Sequence, residues 1–315
     1  ALRKRREEMT IDLVIPTYKP GEKLFESLRR LSRQTVPFGT IFLINTEEKY
    51  FPDHLTEQYP NVVVKHIKKE EFDHGATRDY GASLSDAEII AFMTDDAVPG
   101  DKYMVENLLK AFEDPRVGAA YGRQMADPED NYLEYYTRIF NYPPESSIKT
   151  KADLPKLGIK TFFCSNVCSA YRKKDYEAMG GFIHKTIFNE DMIMASRLIG
   201  ADKAIAYQAD AAVWHWHNYR CFEQLHRNFD LAVSQVSYGG LFLEVSSESE
   251  GMKMVLHMLK HLLFTGRFFK IPKFMADTAC KFIGYKLGRN YKKFPKSLIL
   301  KLTMNRSYWD SYEKL

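Results

Sequence analysis

The chain has 315 residues, of which 45% are hydrophobic, enough to bury the core of one large domain or two modest ones. Its four cysteines are too few for a disulfide scaffold, and Cys164 and Cys168, with no second pair at zinc spacing, are predicted to be reduced and structural. No signal peptide is visible and no apolar run approaches the roughly 18–20 residues that span a bilayer, so no membrane-spanning segment is expected.

The first hundred residues alternate short apolar strands with helices. Residues 22–33 carry apolar side chains at the spacing of one helix face, and the strand segments are apolar runs bounded by turn residues. This alternation predicts an α/β fold with a mostly parallel sheet covered by helices. In chain order, the predicted elements are a strand at 11–16, a helix at 22–33, strands at 41–45 and 62–67, a helix at 77–85 and a strand at 88–93.

Polar residues follow three of these strands: residues 16–18, Asn45, and the adjacent acids Asp95 and Asp96. Ligands of parallel sheets bind outside the carboxyl ends of the strands, so these residues are expected on a binding rim. The sequence has no glycine-rich dinucleotide or P-loop motif, so nucleotide phosphates would need another counter-charge. Mg²⁺ or Mn²⁺ held by the acids would supply one. The alternative is a solvated turn, because Asp-Asp before Pro-Gly favours a turn.

A second polar segment, FDHGATRD at 72–79, precedes the helix before that strand. His74 and Arg78 could present donor groups to a phosphate or a sugar. The structural alternative is a helix N-terminus that is capped by Thr77 or Asp73.

Two further segments carry candidate chemistry. Glu190 and Asp191 begin an apolar-periodic helix, where acids are also favoured by the helix dipole. His215 and His217 alternate along a strand and so share one face, as metal ligands or as ordinary core or surface histidines.

Six motifs in order, spread over residues 10–220, resemble the inverting glycosyltransferases of family two, which have the GT-A fold. Within that family the sequence is most similar to bacterial rhamnosyltransferases that build cell-surface polysaccharide. The motifs are LVIPTYKP, FDHGATRDYGA, AFMTDDAVPG, SAYRKKDYEAMGGF, FNEDMIMASRL and VWHWHNY.

The resemblance implies a donor site on the rim. Thr94 replaces the first acid of the family's D-x-D motif, so Asp96 is the expected ligand of Mg²⁺ or Mn²⁺, and His215 or His217 is expected to complete the shell. Asn45 stands where many members have an Asp that reads the base. The remaining donor contacts implied are Pro16, Thr17 and Tyr18 at the base and ribose, His74 and Arg78 near the phosphates, and Thr94 and Asp95 at the nucleotide or sugar.

The resemblance also implies the reaction. Asp191 matches the catalytic base, and Glu190 would orient the acceptor or tune its neighbour. The donor would be dTDP-β-L-rhamnose, the product an α-rhamnoside, and the acceptor a lipid-linked saccharide. One alternative is a different donor, a UDP-hexose or UDP-galactofuranose. The other is a non-catalytic membrane-surface binding protein that retains the fold, with Thr94 and Asn45 as signs that the active site has decayed. Candidate pocket walls are Phe162, Phe163 and Trp216, with Trp216 and Asn166 as acceptor contacts.

The implied organisation has three parts. Residues 1–8 form a charged segment to which no function is assigned. Residues 9–220 form the catalytic domain, with a nucleotide-binding half at 9–100 and an acceptor half at 101–220. Residues 221–315 form a helical, basic extension.

Charge is distributed unevenly along the chain. The net charge is +4, but residues 252–315 hold 14 Lys and Arg against 3 acids, which leaves the first 251 residues at −7. Apolar residues at helical spacing within this basic segment predict an amphipathic helix that lies on an anionic membrane. The alternative is packing on the catalytic domain or on a second subunit as a homodimer. No nucleic-acid partner is expected, and the predicted location is the cytoplasmic face of the bacterial cell membrane.

Overall fold

The computed structural model describes residues 9–52, 54–239 and 248–310. Their contacts divide the chain into two units, one built on a sheet and one built of helices. The sheet unit comprises Ala1–Asp127, Asn141–His184 and Glu190–Trp216, and the helical unit comprises Pro128–Phe140, Lys185–Asn189 and His217–Leu315, within the described residues.

The described part of the sheet unit contains nine strands in one sheet. They are β1 (Ile11–Tyr18), β2 (Ile41–Thr46), β3 (Val62–Ile67), β4 (Ile89–Met93), β5 (Val98–Pro99), β6 (Val117–Met125), β7 (Ser147–Lys149), β8 (Cys168–Arg172) and β9 (Ala204–Trp214). Their order is β3-β2-β1-β4-β8-β6-β9-β5, with β7 paired to β9. The first four are parallel, and β8 runs antiparallel to both neighbours. The α/β, GT-A-like fold class predicted from the sequence is confirmed.

Eleven helices are described. They are α1 (Glu22–Leu31), α2 (His74–Ser83), α3 (Met104–Leu109), α4 (Tyr132–Asn141), α5 (Leu154–Leu157), α6 (Lys173–Ala178), α7 (Glu190–Gly200), α8 (Cys221–Ser237), α9 (Glu248–Phe264), α10 (Ile271–Arg289) and α11 (Lys296–Leu302). Helix α2 begins three residues before its predicted start because Asp73 caps it, accepting hydrogen bonds from the N–H groups of Gly75 and Ala76.

Strands β1, β2 and β4 are buried on both faces, which explains why they read as continuous apolar runs, whereas the edge strand β3 is partly exposed. All five residues of β4 are buried, and so are the first five of β1. The register sets Thr17 beside Asn45 and Asn45 beside His66. The polar residues that follow these strands therefore meet at one edge, as the strand order predicted.

The helical unit is held by a close contact of α8 with α10. A Cβ on Gly284 would lie 2.1 Å from the carbonyl oxygen of Leu225, so only glycine lets the two backbones approach this closely. Cys221 and Cys280 form a disulfide between the same helices. Sequence reasoning did not identify that bridge. None of the described helices is long and apolar enough to cross a membrane.

The other two cysteines are buried thiols, as predicted for reduced structural residues. Burial raises the pKa of both Cys164 and Cys168 to about 12, so neither is a reactive thiolate at neutral pH.

Candidate active site

A chain of hydrogen-bonded polar side chains crosses the ends of β1, β2 and β3. The Thr17 hydroxyl donates to the Asn45 amide oxygen at 3.0 Å, and the Asn45 amide nitrogen donates to Nδ1 of His66 at 3.0 Å. Asn45 has no exposed surface, and Thr17 is 2% exposed. The side chains of these two residues are therefore hydrogen-bonded within the protein. Tyr18, the next residue in the chain, is exposed and lies beside Tyr50 and Lys19.

Asp95 connects the β4 end to β1. Its carboxylate accepts a hydrogen bond of 3.3 Å from the Tyr18 N–H. Burial raises the pKa of Asp95 to about 6, the charge of Asp96 adds to the rise, and the Tyr18 N–H opposes it. Pro16 lies in β1, two residues before Tyr18. Thr94 is the residue before Asp95, and its buried hydroxyl has no hydrogen-bond partner among the described residues.

Asp96 faces a histidine. Nε2 of His215 lies 3.4 Å from the Asp96 Oδ1 atom. The other ring nitrogen of His215 contacts the Gln124 amide oxygen at 3.0 Å, while the Gln124 nitrogen donates to the Ser165 hydroxyl. The Gln124 amide oxygen therefore accepts a hydrogen bond from the His215 Nδ1–H, which orients the ring so that Nε2 faces the Asp96 carboxylate. An imidazole nitrogen and a carboxylate oxygen placed in this way are a pair of side-chain groups that can bind a divalent cation.

The second histidine of the WHWH motif, His217, is the first residue of the helical unit, and its ring lies 4.8 Å from that of Tyr219. The sequence pattern put both histidines on one strand face, but β9 ends at Trp214, so His215 and His217 lie in the extended segment that follows the strand.

The acid pair begins α7, and both members are fixed by Asn166. The Asn166 amide donates to Glu190 at 3.3 Å, and its backbone N–H donates to Asp191 at 3.3 Å. Asp191 also accepts from the Met192 N–H at 2.7 Å. Asn166 is itself buried, and its amide oxygen accepts from the hydroxyl of Tyr171. The side chain predicted to touch the acceptor is thus committed to holding the acids in place.

The two acids have opposite pKa shifts. Burial alone would raise the pKa of Glu190, but the charge of Arg78, 3.4 Å away, and that of His74 lower it below its ordinary value. Burial, followed by the neighbouring Glu190 charge, raises the pKa of Asp191 to about 7. Glu190 is therefore ionised, whereas Asp191, which is half-buried, can take up and release a proton near neutral pH.

Arg78 reaches the acids because α2 lies close to the segment before α7. A Cβ on Gly75 would lie 2.0 Å from the carbonyl oxygen of Ile183, so the glycine of the FDHGATRD motif is required by this approach. Asp79 accepts hydrogen bonds from the Phe182 N–H and from His184, and so fastens the same segment. His74 remains half-buried at the first turn, whereas Arg78 is 5% exposed.

A cavity of about 310 Å³ adjoins Asp96. Trp214 and Trp216 form one wall, with ring centroids 6.3 Å apart, and Lys23 lies over the Trp216 ring. Aromatic faces beside charged groups are a common lining for sugars, which present C–H faces and hydroxyl edges. The remaining lining residues are Arg30, Val98 and Asp127. The other predicted wall residues lie elsewhere: Phe162 is buried, and Phe163 packs on Tyr121 and Tyr142.

Sequence reasoning missed Gln124, His66 and Trp214. Gln124 lies 91 positions from His215 and has no motif of its own, so no local signal could have identified it. Trp214 stood in the VWHWHNY motif, where its alternation with Trp216 could have placed both rings on one face.

These features together define the class of protein. A polar rim at the ends of parallel strands, an acid–histidine pair, and an acid with a pKa of about 7 are features compatible with a group-transferring enzyme. The model of glycosyl transferase family 2 matches residues 12–180. The chain belongs to this family and is a glycosyltransferase, as its motifs predicted.

Two curated relatives match over nearly the whole chain. The O-antigen chain rhamnosyltransferase RfbN of Salmonella typhimurium is 36% identical over 97% of this chain and 98% of its own length. The O-antigen chain rhamnosyltransferase WbaN of Salmonella anatum is 36% identical over 96% of each.

Solved structures of low identity show the same fold. A mannosyltransferase of Pyrobaculum calidifontis, in complex with GDP-Man and Mn²⁺, aligns with a TM-score of 0.62 at 14% identity over 91% of this chain and 88% of its own. Staphylococcus aureus TarS, residues 1–349 with UDP-GlcNAc, aligns with a TM-score of 0.53 at 14% identity over 90% and 92%.

Proposed function

We propose that this protein transfers L-rhamnose from dTDP-β-L-rhamnose to a hydroxyl of a lipid-linked saccharide during assembly of a bacterial surface polysaccharide, and that it inverts the anomeric configuration. Full-length similarity to two O-antigen rhamnosyltransferases supports the sugar. The observation that carries the chemistry is the acid pair, in which an ionised Glu190 stands beside an Asp191 whose pKa is about 7.

In this mechanism Asp191 is the general base. It takes the proton of the acceptor hydroxyl while that oxygen bonds to the anomeric carbon. The bond from this carbon to the diphosphate oxygen breaks on the opposite face, and dTDP leaves with the electron pair. Asp191 then loses its proton to water. Base assistance of this kind contributes roughly two to four orders of magnitude in rate.

We propose Asp96 and His215 as ligands of Mg²⁺ or Mn²⁺, with His217 as a third ligand from its position two residues further on. The ligand atoms of these three residues lie within 4.8 Å of one another, and Gln124 orients the His215 ring, which supports the fit. When bound, the ion neutralises negative charge on the leaving diphosphate. Asp95 remains the proposed nucleotide or sugar contact beside it.

The other donor contacts are proposed from the solvent exposure of the candidate side chains. Tyr18 is the exposed member of the Pro16-Thr17-Tyr18 segment, so we assign the nucleotide base to its ring. Thr17 and Asn45 are hydrogen-bonded to each other and are assigned a structural role. His74 is proposed at the phosphates. We assign Arg78 to the acid pair instead, because its guanidinium is buried against Glu190. Trp216 is proposed to stack on a sugar.

The direct test is release of nucleotide from dTDP-, UDP- and GDP-sugars, each with Mg²⁺, Mn²⁺ or chelator, and each with and without a rhamnoside acceptor. We expect turnover of dTDP-rhamnose that stops with chelator. Turnover of a UDP-sugar, such as a UDP-hexose or UDP-galactofuranose, would replace the sugar assignment. Turnover that continues in chelator would contradict the metal assignment.

We also propose that the basic segment 252–315 brings the enzyme to the cytoplasmic face of the membrane, where a lipid-linked acceptor is presented. Its excess of positive charge supports this partner. A homodimer through the same segment is the competing arrangement, and sedimentation of the protein without lipid distinguishes the two.

A further inference from the structure

The turn between α9 and α10 presents a cluster of large apolar side chains to solvent. Leu263 is 59% exposed, Phe264 90%, Phe268 64% and Phe269 66%. Side chains of this kind are normally buried, and a contiguous group of them on a surface marks a site of interaction. We call residues 263–270 the phenylalanine turn.

These side chains have no place in the core beneath them. The opposite face of the turn is already filled by Met258, Leu262 and Phe274, which are 1%, 0% and 5% exposed and pack together. Tyr132 and Tyr136 of α4 pack against the same cluster. Among the described residues, the exposed phenyl groups of the turn are therefore not members of this buried cluster.

The turn is also held in a fixed conformation. Gly266 has a φ of 70°, a left-handed conformation that glycine adopts without penalty. Tyr132 is hydrogen-bonded to His261 at 2.6 Å, and the Arg267 guanidinium lies 4.4 Å from the Tyr132 ring centroid. Because these contacts already order the turn, its backbone would lose less conformational entropy when a partner covers the side chains.

Charge around the turn indicates the partner. Between residues 251 and 276 the sequence has no acidic residue. The basic residues of the same stretch are Lys253, Lys260, Arg267, Lys270 and Lys273, of which Lys273 is paired at 2.7 Å with Asp277, just beyond it. Apolar side chains surrounded by cations match the interface of an anionic bilayer, where acyl chains lie beneath lipid phosphates.

We propose that the phenylalanine turn is the membrane-inserting element of this protein, with Phe264, Phe268 and Phe269 entering the interface of an anionic leaflet and the neighbouring lysines contacting lipid phosphate. The inference rests on the membrane association proposed above, and it assigns that association to one turn.

The test compares single substitutions in the full chain. Phe264→Ser, Phe268→Ser and Phe269→Ser are each expected to weaken co-sedimentation with mixed phosphatidylglycerol–phosphatidylethanolamine vesicles about tenfold, because each removes one buried phenyl group. Phe222→Ser is the matched control, since Phe222 is 73% exposed in the same unit but lies beside the acid Glu223. It is expected to change binding less than about twofold.

A second readout measures insertion directly. A tryptophan introduced as Phe264→Trp is expected to be quenched by brominated lipids, and one introduced as Phe222→Trp is not. If the wild-type protein does not bind these vesicles, both the proposed membrane association and the proposed role of the turn are wrong. Binding that survives all three serine substitutions but is lost on deletion of 252–315, in a protein that still folds, would overturn the turn alone. Conversion of a dimer to a monomer by Phe264→Ser would assign the turn to a second copy.

Discussion

The acid pair at the start of α7 makes a sharp prediction for Glu190→Gln. The substitution keeps the shape of the side chain but removes the charge that lies beside Asp191. It also leaves the Arg78 guanidinium without its carboxylate partner at 3.4 Å. Both changes favour the ionised form of Asp191, so its pKa must fall. Because the base must be ionised to act, the variant should remain active at lower pH than the wild-type enzyme.

The size of the shift follows from the causes of the Asp191 pKa. That pKa rises from 3.8 to about 7, with burial as the first cause and Glu190 as the second. Because Glu190 is the second cause of the rise, its removal is expected to lower the pKa of Asp191 by on the order of one unit. At pH 6 the ionised fraction of Asp191 would change from about one tenth to about one half, which is a fivefold gain relative to the plateau.

The assay is the pH profile of kcat/KM for nucleotide release between pH 5 and 9, with a slope of about one decade per pH unit below the pKa. Glu88→Gln is the control, because Glu88 also pairs with a buried arginine, Arg172, at 3.3 Å but contacts no part of the acid pair. It should leave the profile in place. An acidic limb that stays fixed or moves to higher pH in Glu190→Gln would refute the assignment of Asp191 as the base.

Three further predictions test other parts of the structure. Asp191→Asn should lower kcat by about two to four orders of magnitude. Because the pKa of Asp191 is higher in the folded than in the unfolded chain, the native state binds more protons between pH 3.8 and about 7, and its stability falls as pH rises through that window. At pH 8 the free energy of unfolding of the variant, measured with urea, should therefore be about 2 kcal/mol higher than that of the wild type. Asp96→Asn and His215→Gln should each weaken Mn²⁺ binding, measured by calorimetry, at least about tenfold. Gly288→Val should lower the free energy of unfolding by roughly several kcal/mol, because its Cβ would lie 2.3 Å from a carbonyl oxygen of α8. Gly251→Ala should leave the free energy of unfolding unchanged, because the space around Gly251 is open.

Local pattern was sufficient for the parallel half of the sheet. Each strand there is a short apolar run between turn residues, and the strand-end rule then brought residues 16–18, Asn45 and the Asp95-Asp96 pair to one edge without knowledge of any contact. The acids at 190 and 191 were also visible, because a helix start is a local signal. These predictions required periodicity and chain order, and nothing from distant parts of the sequence.

The roles within the site could not be predicted because they depend on tertiary contacts. Arg78 resembles a phosphate ligand in sequence, yet it lies against Glu190, since Gly75 lets α2 approach the chain at Ile183. Asn45 resembles a base-reading position, yet it is buried and bonded to Thr17. Sequence spacing specifies which residues share an element, but it does not specify which elements touch.

The proposed metal site shows how a missing acid could be offset. Thr94 removes one carboxylate from the D-x-D position, which lowers the negative charge available to an ion. In this proposal His215 adds an imidazole ligand whose ring is already oriented by its hydrogen bond to Gln124, so the ring would lose little entropy on binding. A site with one carboxylate and imidazole suits an ion that accepts nitrogen together with oxygen, and Mn²⁺ does so more readily than Mg²⁺. The same substitution that resembles decay in the sequence is therefore compatible with catalysis, provided that the histidine is held in place.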